Sequence, residues 1–348
     1  MDDPALQALF LPFLDRTLVP PARLAFLRAR AGQGLQQFRS AFGAVAIVAE
    51  QSFRPFADAL PHGIDVVAQT DQRFDAVLLL PPRQRDEARA LLVHALDTAS
   101  PGALIVASAA NNEGARAMEG DFERLAGPLS TISKHKCRVV WRRHDAARVD
   151  TVLAQQWRDE AAPQWIAGGR FLSRPGVFAW DRIDAASALL AAHLPADLEG
   201  RGADLGAGYG YLASEVLARC ARVSALALFE AEERALDLAR INLPRLIAML
   251  DRPVAMQYFW HDVTRGLPHR YDFIVTNPPF HQGRADDPEL GRRFIRVAAQ
   301  ALAPQGRLFL VANRHLPYEQ TVRDCFAQAQ VLADAQGFKV IAAQEPRT

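Results

Sequence analysis

The sequence predicts an α/β protein of two tandem Rossmann-like domains. Each has a mostly parallel sheet with helices on both faces, and an antiparallel hairpin closes the second. Three observations carry this expectation. Short apolar runs alternate with helical stretches of about 10–15 residues, the rhythm of βαβ units. The segment FDAVLLLPPRQ at 74–84 lies without gaps on YDFIVTNPPFH at 271–281, the mark of a duplication. The 348 residues also suffice for two domains of about 100–200 residues each.

In the first half, residues 4–30 are predicted to be helical. Val45–Ala49, Ile64–Ala68, Ala76–Leu80, Ala103–Ala107 and Arg138–Trp141 are predicted strands, and Glu87–Leu96 and Glu113–Leu125 helices. In the second half, Arg201–Leu205 is a strand running into glycines and Tyr211–Arg219 a helix. Strand Ala221–Phe229 and helix Glu232–Ala248 follow, then strands Val254–Trp260 and Asp272–Thr276. Helix Pro288–Leu302 and strand Gly306–Val311 come next. Ala329–Ala333 and Phe338–Ala343 flank a Gly337 turn as the closing hairpin. The charged stretch 144–170, ending in Gly168-Gly169, is the expected boundary, separating domains at 1–160 and 165–348.

Composition narrows the class. Half the residues are hydrophobic and 23% are charged, close to the globular average of about 25%. No apolar run approaches the ~20 residues that span a bilayer. The chain starts Met-Asp-Asp, without the basic start of a signal peptide, so a cytoplasmic protein without membrane attachment is expected. Cys137, Cys220 and Cys325 are far apart and fit no metal-ligand spacing, which predicts reduced thiols and no metal. A net charge of +1 does not announce a nucleic-acid binder.

The chemistry concentrates in the second half. Asp204-Leu-Gly206-Ala-Gly208-Tyr-Gly210 lies between a strand and a helix, where glycines let a ligand touch the backbone. A dinucleotide fingerprint needs glycine or alanine at position 211, which is Tyr211. The carboxylate of Asp204 beside the loop suits a cationic ligand such as S-adenosylmethionine and would repel a pyrophosphate. Glu230, ending the next strand, is placed to accept hydrogen bonds from a ribose diol. Asp262 is a candidate for the adenine amino group, or simply a loop cap in His261-Asp-Val-Thr.

Asn277-Pro278-Pro279-Phe280 follows the strand Asp272–Thr276. The prolines fix the backbone and remove two N–H donors. The Asn277 amide oxygen and the Pro278 carbonyl then form an acceptor pair for both hydrogens of a planar amine, and Phe280 offers a face for a base to stack on. The first-half copy, Leu80-Pro81-Pro82-Arg83, keeps the turn but loses the amide and the aromatic ring. No glycine cluster follows Val45–Ala49 either, so the first half is expected to be a degenerate copy.

With these residues in hand, the sequence resembles class I S-adenosylmethionine-dependent methyltransferases, most closely the bacterial ribosomal RNA (guanine-N2)-methyltransferases of the RsmC/RlmG type. The resemblance rests on RPGVFAWDRIDAASALL (174–190), DLGAGYG, Glu230, Asn277-Pro-Pro-Phe-His-Gln-Gly and ANRHLPYE…FKV (312–340). It implies methyl transfer to the N2 amine of a guanine in ribosomal RNA, in 16S rather than 23S, with S-adenosylhomocysteine as product. It implies a cofactor site of Asp204, Gly206, Gly208, Glu230 and Asp262, and catalytic Asn277, Pro278 and Phe280. The first domain would bind RNA or support the second. The same Asn-Pro-Pro-aromatic motif also serves methylation of a protein glutamine or a DNA amine, and a non-catalytic assembly factor is a further alternative.

Ser133–His144 (SKHKCRVVWRRH) reads either as an RNA-facing strand or as an edge strand with outward charges. Lys134, Lys136 and Arg142 within it, with Arg174, are the candidate RNA contacts. Arg292, Arg293 and Arg296 read as a solvated helix face, and His281 and His315 carry no assigned role.

Overall fold

Strands buried on both faces read as continuous apolar runs, and the duplicated segments behave that way. In Phe74–Leu79 only Asp75 is exposed, and in Tyr271–Thr276 only Asp272. The structure is a computed structural model and describes residues 3–250, 252–279, 281–282 and 285–347. It divides into two units, one ending at Pro163 and one beginning at Gln164.

The first unit runs α1 (Pro4–Leu14), β1 (Arg23–Leu27), α2 (Gln33–Ala41), β2 (Ala46–Glu50), α3 (Arg54–Asp58), β3 (Asp65–Val67), β4 (Phe74–Leu79), α4 (Arg85–Thr98), β5 (Ala99–Ala110), α5 (Ala115–Ala126), β6 (Ser130–Lys134), β7 (Cys137–Arg143) and α6 (Thr151–Ala161). The second opens with β8 (Gln164–Ile166), β9 (Phe171–Ser173), α7 (Ala185–Ala192), β10 (Glu199–Leu205), α8 (Tyr211–Arg219), β11 (Arg222–Glu230) and α9 (Glu233–Ile247). It continues through β12 (Ala255–Trp260), β13 (Tyr271–Thr276), β14 (His281–Gln282), β15 (Ala285–Asp286), α10 (Pro288–Ala301), β16 (Leu302–Asn313), α11 (Tyr318–Cys325), β17 (Phe326–Ala335) and β18 (Phe338–Pro346).

Each unit has a seven-stranded sheet of the same order, β3-β2-β1-β4-β5-β7-β6 and β12-β11-β10-β13-β16-β18-β17. The first five strands are parallel and the last two antiparallel. Strand alternation splits each core across the sheet. Leu24, Phe26, Ala76 and Leu78 pack with α1 and α2, whereas Ala25, Leu27, Val77 and Leu79 face α4 and α5. In the second unit Leu228, Phe273 and Val275 pack with α7, α8 and α9, while Leu205, Ile274 and Leu310 pack with α10 and α11.

Four expectations are corrected. Residues 4–30 are not helical throughout, because Arg23–Leu27 is a central strand pairing with β2 and β4. The closing antiparallel hairpin occurs in both units, not only in the second. Ser133–His144 is not one edge strand: β6 is the edge, and β7 lies between β5 and β6.

The fourth correction concerns the counterpart of the glycine loop, which follows β1 rather than Val45–Ala49. Leu27 sits beside Leu79 and Leu205 beside Thr276, and Leu79 aligns with Thr276 in the duplicated segment. RLAFLRARAG (23–32) therefore matches RGADLGAGYG (201–210) without a gap, and Gly32 and Gly210 precede corresponding helices.

Candidate active site

In an open parallel sheet, ligands bind at the carboxyl ends of the strands where the strand order reverses. In the second unit that point lies between β10 and β13, and the glycine loop and the Asn-Pro-Pro motif leave the sheet there side by side. Gly206 and Gly208 both adopt positive φ (72° and 54°), which a side chain resists. A Cβ at Gly208 would meet nothing within 4 Å, so the backbone is open to a ligand.

Three contacts hold the loop. Asp204 is fully buried, and its Oδ2 accepts a hydrogen bond from Ala213 N (3.0 Å), tying the strand end to the first turn of α8. Gly208 N donates to Glu230 Oε2 (2.7 Å), and Glu232 N donates to Oε1 (2.8 Å). Asn242 of α9 donates to Tyr209 O (3.0 Å) and to Leu172 O (2.9 Å) while accepting from Leu172 N (2.7 Å). Asn242 therefore ties the glycine loop to the β8–β9 hairpin. Nothing in its sequence context marks it, because an asparagine inside a helix is unremarkable until the neighbouring backbone is known.

Asp204 Oδ1 is buried without a partner, an unusual state for a carboxylate. Burial pushes the Asp204 carboxyl up to about 7, against the Ala213 hydrogen bond and with help from the Glu230 charge. Burial also raises Glu230, against the N–H donors of Glu232 and Gly208.

Asn277 lies opposite the loop. Its Nδ2 donates to Asp184 Oδ2 (3.0 Å) and to Ser187 Oγ (2.9 Å). Asp184 also caps α7 through Ser187 N (2.8 Å). An ionised carboxylate only accepts hydrogen bonds, so the NH2 must face Asp184 and the carbonyl Oδ1 turns away from it. Asp184 and Ser187 belong to RPGVFAWDRIDAASALL (174–190), whose residues suggested no such contact from spacing alone.

Phe178, Ala179, Asp184, Ser187, Tyr211 and Asn277 line a cleft with the loop residues 206–209, about 420 Å³ including its open mouth. Phe178 is 64% exposed there, a costly placement for a large apolar ring. No arginine or lysine lines this cleft among the described residues. Open glycine backbone, an orphaned carboxylate oxygen and an absence of basic side chains fit a cationic ligand without phosphates, as S-adenosylmethionine is.

The remaining predicted residues fall as follows. Asp262 Oδ1 accepts from Thr264 N (2.9 Å) and Oγ1 (2.7 Å), so it caps a short turn. It stands near Glu230 through His261 N, which donates to Glu230 O (2.9 Å). Pro278 is buried and Pro279 exposed, and Phe280 lies outside the described residues. Lys134 and Lys136 are exposed at the β6–β7 turn. Arg142 is about 17 Å further along β7 at ~3.4 Å per residue, half-buried, with its Nε donating to Arg143 O. The structure does not gather these three on one patch. Arg174 is half-buried in the second unit. Among the described residues no helix is long and apolar enough to cross a membrane.

Residues 168–342 match the methyltransferase small domain family. Ribosomal RNA small subunit methyltransferase C of Pseudomonas aeruginosa (strain UCBPP-PA14) is 30% identical over 280 residues, covering 80% of this chain and 82% of that protein. The protein of that name from Chromohalobacter salexigens is 35% identical over 240 residues, 66% and 68% of the two chains. A solved T. thermophilus 16S rRNA N2 methyltransferase (RsmC), in complex with AdoMet and guanosine, matches with a TM-score of 0.77 and 25% identity. That match covers 99% of this chain and 92% of that one. On these matches the chain belongs to the RsmC-type ribosomal RNA methyltransferases of the class I, S-adenosylmethionine-dependent fold.

Proposed function

We propose that this chain transfers a methyl group from S-adenosylmethionine to the exocyclic N2 amine of a guanine in 16S ribosomal RNA, in the cytoplasm. The observation that carries the reading is the Asn277 carboxamide, its NH2 turned to Asp184 and Ser187 and its oxygen left as an acceptor beside the glycine loop. S-adenosylmethionine supplies an electrophilic methyl on a sulfonium.

The protein's task is placement. Asn277 Oδ1 and the Pro278 carbonyl each accept one amine hydrogen, which favours rehybridisation of the nitrogen and lets its lone pair leave conjugation with the ring and point toward the methyl. Asp184 and Ser187 keep the Asn277 oxygen on that side. Gly206 and Gly208 admit the ligand to the backbone, Asp204 and Glu230 favour its positive charge, and Glu230 takes the ribose hydroxyls. Asp262 is assigned the adenine end and Phe280 the stacking face. The amine nitrogen needs no strong base, because it becomes acidic only as it alkylates, and its proton then leaves to water. Orientation of this kind is worth up to about 7–11 kcal/mol. The guanine has to leave its stack to reach Asn277, so the reaction is a base-flipping one. The first unit, residues 1–160, holds RNA or supports the second, residues 165–348.

The test is to supply labelled S-adenosylmethionine with small ribosomal subunits, naked 16S and 23S rRNA, DNA and protein. Label is expected in N2-methylguanosine of 16S rRNA and should fall roughly 10²-fold or more in Asn277→Ala, the scale of losing one preorganised polar contact. Label confined to protein or DNA would overturn the reading.

A further inference from the structure

Resting on that reading, we propose that Phe178 distinguishes the cationic methyl donor from its neutral product, its ring face holding a sulfonium by cation–π attraction and losing that hold once the methyl has gone. Residues 174–184, between β9 and α7, present it. The residues around it are anchored. Pro175 and Val177 are buried, and Val177, Trp180 and Ile183 pack with Phe171 and Tyr209 in a small apolar cluster that leaves Phe178 out. Tyr209 of the glycine loop ties the segment down, its OH donating to Arg182 O (3.2 Å). Phe178 is therefore held outward between fixed neighbours. Ala179 beside it keeps φ 49°, a left-handed conformation that a side chain resists. An exposed ring and a strained neighbour both cost stability, and no packing offsets them, which points to a ligand.

Phe178 lines the same cleft as Gly206, Gly208, Asp184 and Asn277. The glycines admit the donor and the Asn277 oxygen takes the amine, so the transferred methyl passes between them, in the space that Phe178 borders. The face of an aromatic ring is negative and attracts a cation within about 6 Å of its centre. The acids nearby act differently. Asp184 Oδ2 already accepts from Asn277 Nδ2 (3.0 Å) and Ser187 N (2.8 Å), and Glu230 accepts from Gly208 N (2.7 Å). With Asp204 they favour positive charge anywhere near the cleft, including an ammonium. A sulfonium has no hydrogen to donate to a carboxylate, and an aromatic face suits such a cation, as it suits quaternary ammonium groups. During transfer the S–CH3 bond breaks and the N–CH3 bond forms. Sulfur keeps the bonding pair and becomes neutral, and the proton leaves the nitrogen for water. The ring's attraction ends with the charge.

The experiment uses the full chain without RNA and measures, by calorimetry, the Kd for S-adenosylmethionine and for S-adenosylhomocysteine. Phe178→Leu keeps apolar bulk and removes the ring, whereas Phe178→Tyr keeps the ring. In Phe178→Leu the Kd for S-adenosylmethionine should rise roughly three- to thirty-fold while that for S-adenosylhomocysteine stays within about two-fold. Phe178→Tyr should stay within about two-fold of wild type for both ligands. The side chain is exposed, so neither exchange should move the melting midpoint. Should Phe178→Leu still unfold, Phe178→Met must show the same selective loss. An equal loss for both ligands overturns the proposal, because the ring then only fills space. Unchanged affinities with a raised KM for 16S rRNA also overturn it, placing the ring against the base. A wild-type chain that binds neither ligand removes the proposed function as well. A wild type that methylates 16S rRNA while Phe178→Leu keeps the wild-type ligand preference removes only this assignment.

Discussion

Asp204 and Glu230 are acids whose ionisation the fold opposes, and on the proposed reading a cationic cofactor would reverse that bias. The folded value of Asp204, about 7, lies above its unfolded value near 3.8. Raising the pH from about 4 towards 7 therefore favours the ionised unfolded chain, and the ligand-free protein should lose up to roughly 4 kcal/mol from this group over that window. Thermal melts of wild type against Asp204→Asn measure it, and the two curves should run parallel if the burial argument fails. Since the cation favours the carboxylate, S-adenosylmethionine affinity should rise about ten-fold or more between pH 5.5 and 7.5 and then level off. Calorimetry in buffers of different ionisation enthalpy should register proton release on binding near pH 6. At Asn277 the decisive partners are Asp184 and Ser187. Ser187→Ala frees one arm of the carboxamide and should lower kcat by roughly ten-fold with S-adenosylmethionine affinity unchanged, whereas damage to the cofactor loop would lower both.

Among the elements, α9 does more than cover the sheet. Asn242 satisfies backbone groups of both β9 and the glycine loop, so Asn242→Leu leaves buried polar groups unpaired. The expected cost is about 2–4 kcal/mol, with a weakened cofactor site, readable from denaturant midpoints and binding together. The elements also mark where the sequence was legible. Helix Tyr211–Arg219 and most strands of the second unit stood out, because glycines and prolines interrupt clear changes of hydrophobic period. Strand β1 did not stand out. Its Arg-Leu-Ala-Phe-Leu has residues that suit a helix, and only pairing between β2 and β4 makes it a strand, tertiary context overriding local preference. Missing β1 hid the true counterpart of the glycine loop, and with it Arg28 and Arg30.

For the whole molecule, the two units share a topology and differ in chemistry at one sheet edge. Calorimetry should therefore give one S-adenosylmethionine per chain, because Arg28 and Arg30 stand where the first unit would need open glycine backbone. A stoichiometry of two would contradict this. At a ligand concentration of 100 Kd, the second unit should gain about 2.7 kcal/mol of stability. If the units melt separately, only one of the two transitions should move.

Amino-acid order alone determined the duplicated α/β plan, the glycine loop with Glu230 after it, and the Asn-Pro-Pro turn, because these depend on local backbone freedom and hydrophobic period. Only the folded chain decided that Asp184 and Ser187 orient Asn277, that Asn242 braces the loop, and that Arg28 answers to Gly206. Those relations join residues up to 178 positions apart, between copies of one motif or across a sheet edge. Spacing along the chain carries no record of such relations; strand register and burial create them.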